Sequence, residues 1–364
     1  MQVTIVGLPG SGKTTVFNAL TGAHADTGGF SGGRAAPNVG VVKVPDERLD
    51  RLSELFHPRK TVPADVTYVD VAIPAGAARE GTVNPDVLAL IRNADALLHV
   101  ARGFEGSGAD GPPDLWRDVD ELDLEFTIAD LTVIEKRLDK LRTSGRHGSP
   151  TEREANAQEE ELLARLEPDL SAGRPLRAVQ LSDDDELRLR GYRFLTQKPV
   201  LVVLNIDEGQ LAGVPDLEAA GRARYAQPQS DVAALGGKIE AELAQLSADD
   251  AALFMEDLGI AEPSRGRVIR LTYDLLGLFS FFTAGEDECR AWTLSAGANA
   301  VDAAAAIHSD LARGFIRAEV VTFDDLMASG SMVEARKRGL LRSEGKTYAV
   351  RDGDVIEVLF NVAR

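Results

Sequence analysis

The sequence predicts an α/β protein that carries an inserted pair of long helices and a small α+β domain at its C-terminal end. Three observations support this prediction. Strand-like and helix-like segments alternate at the start of the chain, a long amphipathic stretch follows, and short strand-like segments dominate from about Leu278. Alternating strands and helices are typical of a parallel sheet with helices on both faces.

The α/β part consists of two separate segments of the chain. Its strands are the apolar runs 4–6, 65–72, 96–104, 199–205 and 231–235, and its helices are 13–22, 85–94 and 239–246. Residues 106–114, GSGADGPPD, interrupt the alternation with glycine and proline. We therefore predict one domain from residues 1–117 and 198–277.

The intervening residues 118–197 read as an inserted helical arm. Apolar residues from Val119 to Leu141 recur at three-, four- or five-residue steps, as a long amphipathic helix requires. After SGRHGSP (144–150), a second, Glu-rich helical stretch covers 152–166. Two long helices joined by a Gly/Ser/Pro turn predict an antiparallel hairpin.

The last segment, residues 278–364, reads as a small mixed-sheet domain of the ubiquitin-like kind. Its strand-like runs are FSFFTA, RAWTL, IRAEVVTF and DVIEVLF, and an alanine-rich helix is predicted from Asp302 to Arg313. Trp292, Phe281 and Phe282 are the expected core of this domain.

The composition favours a globular protein of the reducing cytoplasm. The 364 residues exceed one ordinary core, and 44% of them are hydrophobic and 27% charged. Cys289 is the one cysteine, so no internal disulfide forms. No apolar run reaches the roughly 20 residues that cross a bilayer, so we expect no membrane partner. We expect a cytoplasmic monomer.

The net charge of -18 argues against broad nucleic-acid binding. Two local segments, 135–148 and 331–351, are nevertheless rich in Lys and Arg. Each is either a contact surface for RNA or a solvated helix or loop surface. The histidines His24, His57 and His308 lack the spacing of metal ligands, which favours surface or packing roles.

Residues Gly7 to Thr14, GLPGSGKT, match the phosphate-loop pattern G-x-x-x-x-G-K-[ST] between a strand and a helix. Consecutive main-chain N–H groups and the positive helix end face the β- and γ-phosphates in such loops. Lys13 adds a positive charge and is the candidate catalytic residue, while the Thr14 hydroxyl is the candidate Mg²⁺ ligand. The candidate nucleotide-binding residues here are Gly7, Pro9, Gly10, Ser11, Gly12, Lys13, Thr14 and Thr15.

Two further segments complete the expected site. Asp70 ends the apolar run VTYVDVA, where a Walker B carboxylate holds Mg²⁺ through water. Asn205, Ile206 and Glu208 belong to the segment NIDE, which follows a buried-looking strand where related loops read the base. The guanine reader is N-K-x-D; here Ile206 replaces its lysine and Glu208 its aspartate, which weakens the case for GTP. A plain loop after a strand is the alternative.

At these residues the sequence resembles the YchF / Obg-like ATPase family, within the Obg-related class of translation-factor P-loop proteins. The resemblance covers nearly the whole chain. Matching segments include 37–72, 91–105, 124–141, 205–208, 238–243, 281–294, 307–321 and 352–362. It implies a P-loop domain, an inserted coiled-coil arm and a C-terminal TGS domain. It also implies an N-x-x-E base reader that favours ATP over GTP, and association with the ribosome or its RNA through the arm and the TGS domain.

The sequence departs from the family at positions that concern catalysis. Residues Gly33 to Ala36 supply no switch threonine, and Ile73-Pro74 replaces a glycine-containing segment after Asp70. Residues 106–118 contain no histidine of the kind thought to aid hydrolysis in the family. Such losses of water-positioning and charge-stabilising groups reduce the rate by roughly 10³- to 10⁵-fold. Arg34 is either a charge donor to the γ-phosphate or an exposed loop residue.

Three hypotheses follow. The leading one is an ATP-binding switch with slow hydrolysis that contacts the ribosome or another translation partner. The second is a degenerate nucleotide-binding adaptor without meaningful turnover, and the third is a GTPase.

Overall fold

The structure is a computed structural model that describes residues 1–25, 37–71, 85–106, 111–144, 149–258, 260 and 263–361. The strands are β1 (Gln2–Val6), β2 (Asn38–Lys43), β3 (Lys60–Val62), β4 (Asp65–Asp70), β5 (Ala96–Gly103), β6 (Val200–Ile206), β7 (Ser230–Leu235), β8 (Leu278–Ala284), β9 (Glu288–Ser295), β10 (Phe315–Thr322), β11 (Arg342–Glu344) and β12 (Asp354–Phe360).

The described helices lie between these strands, singly or several in succession. They are α1 (Lys13–Thr21), α2 (Glu47–Phe56), α3 (Pro85–Arg92), α4 (Leu115–Ser144), α5 (Pro150–Ser171), α6 (Asp183–Leu189), α7 (Val214–Arg224), α8 (Gly237–Leu243), α9 (Ala248–Asp257), α10 (Ser264–Leu275), α11 (Ala300–Ile307), α12 (Ser309–Arg313), α13 (Phe323–Ser329) and α14 (Met332–Lys337). Short 3₁₀ helices cover Leu176–Ala178 and Glu208–Gly213.

A six-stranded sheet in the described part has the order β2-β4-β1-β5-β6-β7. Strand β1 pairs in parallel with β4 and β5, and β5, β6 and β7 continue in parallel. Strands β5 and β6 are apolar runs buried along almost their whole length, as central strands of a helix-covered parallel sheet must be. This confirms the predicted α/β fold. The carboxyl ends of these strands form one edge, where the phosphate loop lies.

Helices α4 and α5 pack side by side. Each begins before and ends after its predicted range, which was 119–141 for α4 and 152–166 for α5. Their shared core contains Ile134, Leu138 and Leu163, and Leu166 joins it. Arg137 pairs with Glu159 at 2.6 Å, on the outer surface of the same helix pair. None of the helices in the described ranges combines the length and the apolar character that a bilayer crossing demands.

A second sheet in the described part has the order β11-β10-β12-β8-β9-β3 and mixes antiparallel with parallel pairs. Its core places the alanines of α11 against Phe281, which is fully buried, as is the neighbouring Phe282. The predicted single helix from Asp302 to Arg313 is wrong. His308 is extended, with φ -166° and ψ 140°, and its Nδ1 accepts the Asp310 N–H at 3.1 Å, so the residue ends α11 and caps α12.

Contacts divide the chain into two compact units, residues 1–40 with 67–268 and residues 41–66 with 269–364. Segment 41–66 joins the second unit because β3 pairs with β9 and because Arg48 on α2 lies over the Phe282 ring at 5.2 Å. Arg48 also bonds both carboxylate oxygens of Asp352, at 2.8 and 3.0 Å. The sequence did not predict the pairing of β3 with β9. The three-domain division predicted above instead places residues 41–66 in the α/β domain. That division stays a proposal.

The core between α4 and α5 yields a stability prediction. Leu163 is 0% exposed, so Leu163→Ala should remove about 2–5 kcal/mol from the free energy of unfolding, through lost burial and the cavity left behind. Leu124→Ala, at a position on α4 that is 58% exposed, should change it by about 0.5 kcal/mol or less. Urea unfolding followed by circular dichroism measures both. Equal shifts of the two midpoints would contradict the packing described.

Candidate functional site

The loop between β1 and α1 is shaped by its glycines. Gly10 and Gly12 have φ values of 79° and 84°, which residues with a Cβ adopt only at a cost. A Cβ at Gly12 would also lie 2.3 Å from the Asn205 Nδ2 atom, and one at Gly7 would lie 2.5 Å from the Val100 carbonyl oxygen. Glycine is therefore required at both fixed positions of the motif, for space as well as for backbone conformation.

The Lys13 ammonium group folds back over this loop. Its Nζ atom donates to the carbonyl oxygens of Gly7 and Leu8 at 3.0 and 2.9 Å, and the residue is only 8% exposed. Burial lowers the pKa of Lys13 to about 8, while the Asp70 carboxylate acts in the opposite direction. The positive charge is thus poorly solvated and would gain from an anion in the loop.

Thr14 and Asp70 meet at the end of the parallel strands. The Thr14 hydroxyl donates to Asp70 Oδ2 at 2.8 Å, and the Asn38 amide donates to the same oxygen at 3.2 Å. The other oxygen of Asp70 is buried and has no hydrogen-bond partner among the described residues. A hydroxyl beside a carboxylate with an unused oxygen fits the oxygen ligands that Mg²⁺ prefers. Asn38 was not predicted from the sequence.

The Asn205 side chain connects two loops of the site. Its Nδ2 atom donates to the Ser11 carbonyl oxygen at 3.0 Å, and its Oδ1 atom accepts the Gly237 N–H at 3.1 Å. Both ends of the amide are therefore engaged by the protein itself. The structure brings Asn205 to the phosphate loop, where it acts as a brace between main-chain segments.

The other predicted base-reading residues have different surroundings. Ile206 is still part of β6, and its side chain is buried in the apolar core on one side of the sheet. Asp207 caps the following 3₁₀ helix by accepting the Glu208 N–H at 3.0 Å. Glu208 itself is exposed, and no hydrogen bond of its carboxylate is found among the described residues.

The turn after β7 contributes a part of the site that sequence reasoning missed. Gly237 cannot carry a side chain, because a Cβ there would lie 2.7 Å from Asn205 Oδ1. Lys238 follows it and lines a cavity of about 470 Å³ together with Thr15 and Asn18 of α1. The sequence did contain a signal for this part of the site. Two glycines, 236 and 237, directly follow a buried strand, and the end of that strand lies at the same sheet edge as the phosphate loop.

Buried polar groups lie behind the loop on β5. His99 is 1% exposed, and burial, with the nearby charges of Arg177 and Lys13, lowers its pKa to about 3, so its ring is neutral at pH 7. Arg102 donates from its main-chain N–H to Asp118 Oδ2 at 3.2 Å and from Nη2 to the Gly111 carbonyl at 2.9 Å. Arg102 thereby ties the end of β5 to the start of α4.

Several predicted features fall on residues that the structure does not describe. Gly33 to Ala36, with Arg34, and the segment Ile73-Pro74 lie outside the described ranges, as do residues 107–110 of the loop that lacks histidine. Pro9 lies in the described loop between β1 and α1, and Thr15 lies in α1. Both are close in sequence to residues predicted to bind phosphate.

Two family models match the sequence. The model described as "50S ribosome-binding GTPase" matches residues 2–136, which include the phosphate loop and Asp70. The YchF-GTPase_C model, described as a protein of unknown function (DUF933), matches residues 278–361.

Relatives match the chain over nearly its full length. It is 39% identical over 365 residues to the ribosome-binding ATPase YchF of Bacillus subtilis (strain 168), and 38% identical to that of Escherichia coli O157:H7, with 98% of each chain covered in both comparisons. The solved structure of the Schizosaccharomyces pombe YchF GTPase superposes with a TM-score of 0.85 at 26% identity and covers 99% of this chain and 97% of that one.

The brace made by Asn205 gives a prediction that separates it from a base contact. Asn205→Ala should weaken ATP and GTP binding by the same factor, about 10-fold, because two buried hydrogen bonds of the loop scaffold are lost. Titration calorimetry with both nucleotides measures the two factors. Thr196→Ala, which removes a buried hydroxyl bonded to Asp130 on the same unit, is the matched control and should leave both affinities unchanged. If Asn205→Ala weakened the binding of ATP alone or of GTP alone, the role of Asn205 as a brace would be contradicted.

Proposed function

The chain belongs to the YchF family, and we propose that it is a P-loop nucleotide hydrolase that prefers ATP, turns it over slowly and acts as a ribosome-associated switch. The arrangement of Lys13, Thr14 and Asp70 around the glycine loop is the observation that carries the proposal. It provides main-chain donors, a buried cation and a carboxylate at one helix end, which is the environment that a triphosphate requires.

Magnesium is the expected cofactor. Thr14 and Asp70 would hold it, because their oxygens are adjacent and one oxygen of Asp70 is buried without a partner in the described part of the chain. When bound, the ion would neutralise charge on the β- and γ-phosphates. Lys13 would leave the loop carbonyls and donate to the phosphate oxygens, and Gly7 and Gly12 keep the main chain close enough for its N–H groups to bind them.

The preference for ATP rests on Glu208 and Ile206. Ile206 lies in the core, so the lysine that guanine readers carry at this position would bring a charge into apolar surroundings here. The Glu208 carboxylate is exposed and one methylene longer than the aspartate of those readers. These features support ATP as the ligand, and the relatives in bacteria that the chain matches are named as ATPases.

Slow turnover is expected from the residues that the sequence lacks. Residues 33–36 supply no switch threonine, and residues 106–118 supply no histidine to orient water. His99 does not fill this role, because it is buried away from solvent and its low pKa makes it a weak base. The same observations support the second candidate function, an adaptor that holds nucleotide without meaningful turnover.

Contact with the ribosome is proposed through α4 and α5, as an inserted arm, and through residues 278–364, as a TGS domain. The arm presents Lys136 and Arg142, both exposed, although Arg142 lies 3.6 Å from Glu160. In the second unit several basic side chains are paired with carboxylates, which reduces their attraction for RNA. These are Arg336, Lys337, Arg338 and Arg342.

The phosphate loop is tested by removing its cation. Lys13→Ala should reduce ATP binding at least 100-fold, since the buried ammonium is the strongest local charge for the phosphates. Lys43→Ala, which removes an exposed lysine from β2, should leave binding unchanged. Equilibrium binding with Mg²⁺ measures both. Retention of ATP by Lys13→Ala would defeat the proposed function.

Base preference is tested with the exposed carboxylate. The wild type should bind ATP more tightly than GTP. Glu208→Asp should reduce the ratio of ATP affinity to GTP affinity about 10-fold, because a shorter carboxylate resembles the guanine reader. Glu256→Asp, an identical change at an exposed position on α9, is the control. Binding isotherms for both nucleotides measure the ratio. Tighter GTP binding by the wild type would favour the GTPase alternative.

Turnover separates the switch from the adaptor. Single-turnover hydrolysis of ATP should be slow alone and faster when purified ribosomes are added, because a translation partner would supply or order the missing groups. A hydrolysis rate that stays at background with and without ribosomes would favour the adaptor.

A further inference from the structure

A cavity of about 550 Å³ lies within the first unit at the amino ends of the central strands. Asp95, Pro199 and Gln229 line it, and each immediately precedes a strand, namely β5, β6 and β7. The phosphate loop lies at the carboxyl ends of the same parallel strands. The cavity is therefore separate from the site described above, and its volume is within the range of small-molecule sites, roughly 300–1,000 Å³.

Cations dominate the charged lining of this cavity. They are Arg92, Arg177, Arg190, Arg193 and Lys198, against the carboxylates of Asp95 and Glu186. Two of the cations are neutralised from behind, since Arg92 pairs with Asp130 at 3.0 Å and Arg177 lies 3.8 Å from Asp123. The other three cations have no carboxylate partner at ion-pair distance among the described residues.

Two of these three cations, Lys198 and Arg193, are held by neutral groups. Lys198 donates to the Ala94 carbonyl oxygen at 2.5 Å, and Arg193 donates to the Asn93 side chain. Burial lowers the pKa of Lys198 to about 8. The carboxylates of Asp95 and Asp130 act in the opposite direction, and the positive charges of Arg193 and Arg92 act in the same direction as burial. In a chain with net charge -18, this concentration of positive charge is a local exception.

Arg177 supplies a buried donor that the protein does not use. Its side chain is only 5% exposed, and its Nε atom has no hydrogen-bond partner among the described residues. A buried guanidinium N–H without a partner costs free energy that a bound acceptor would recover. Arginine presents its donors in a planar fork that matches phosphate.

The backbone around the cavity is strained. Three residues other than glycine have left-handed backbones in the described part of the chain, and two of them, Arg193 with φ 51° and Gln229 with φ 55°, line this cavity. Such conformations cost about 1–3 kcal/mol each and concentrate at functional sites.

Another part of the wall is apolar and partly exposed, formed by Val179, Leu181 and Pro199. We propose that this cavity binds a small phosphate ester of about the size of a nucleoside monophosphate. Its phosphate would bind Arg177, Arg190, Arg193 and Lys198, and its organic part would contact the apolar wall. A multiply charged phosphate matches several cations better than a single carboxylate does, and the volume of about 550 Å³ favours a small ligand over an RNA backbone.

The test uses the full chain saturated with Mg²⁺ and a non-hydrolysable ATP analogue, so that the phosphate loop is filled. Titration calorimetry then follows AMP and ribose 5-phosphate, with ribose as the control that lacks phosphate. Both phosphate esters should bind and ribose should not. Failure of AMP and ribose 5-phosphate to bind overturns the proposal, whatever the hydrolytic activity of the protein.

Variants then locate the binding. Arg190→Gln/Lys198→Gln should weaken AMP binding at least 10-fold. Arg188→Gln/Lys136→Gln, which removes the partly exposed Arg188 and the exposed Lys136, both outside the cavity, should change it less than two-fold. Retained binding of the ATP analogue shows that each variant is folded, and Arg190→Gln alone, at an exposed position, replaces a double variant that fails to fold. Equal AMP affinity in the variant and the wild type overturns the proposal. Binding of a short single-stranded RNA through these residues, without binding of AMP, also overturns it.

Discussion

The amide of Asn205 is the constraint on which the nucleotide site depends. It joins the Ser11 carbonyl of the phosphate loop to the Gly237 N–H of the turn after β7, across the carboxyl edge of the sheet. Both partners are main-chain groups, so the brace fixes backbone positions. The glycines at 12 and 237 follow from it, because a Cβ at either position would collide with this amide.

Within that frame the loop is held in a closed arrangement by its own residues. Lys13 donates to loop carbonyls, and Thr14 and Asn38 donate to Asp70. Each of these hydrogen bonds occupies a group that a magnesium–nucleotide complex would need. In the proposed complex, ligand binding would exchange these internal hydrogen bonds for bonds to phosphate and Mg²⁺. The gain would come from new partners for a buried ammonium and for an unpartnered carboxylate oxygen.

The sequence predicted the parts of the fold that depend on local pattern. The parallel strands, the long helices and the phosphate loop follow from apolar periodicity and from glycine spacing. The break at His308 was missed because alanine-rich residues favour a continuous helix. The extended backbone of His308 ends α11, and its Nδ1 caps α12 by accepting the Asp310 N–H. The union of 41–66 with the second unit was also missed, since the pairing of β3 with β9 joins residues more than two hundred positions apart.

The site shows the same limit at the level of single residues. Residue type predicted Lys13 and Asp70. It could not predict that Ile206 faces the core while Asn205 faces the loop, because successive side chains of β6 point to opposite faces of the sheet. It also gave no sign of the cationic cavity, whose residues come from four separate stretches of the chain. A parallel sheet brings the starts of its strands together as surely as their ends. Charges scattered along such a sequence therefore become neighbours at an edge that no linear motif marks.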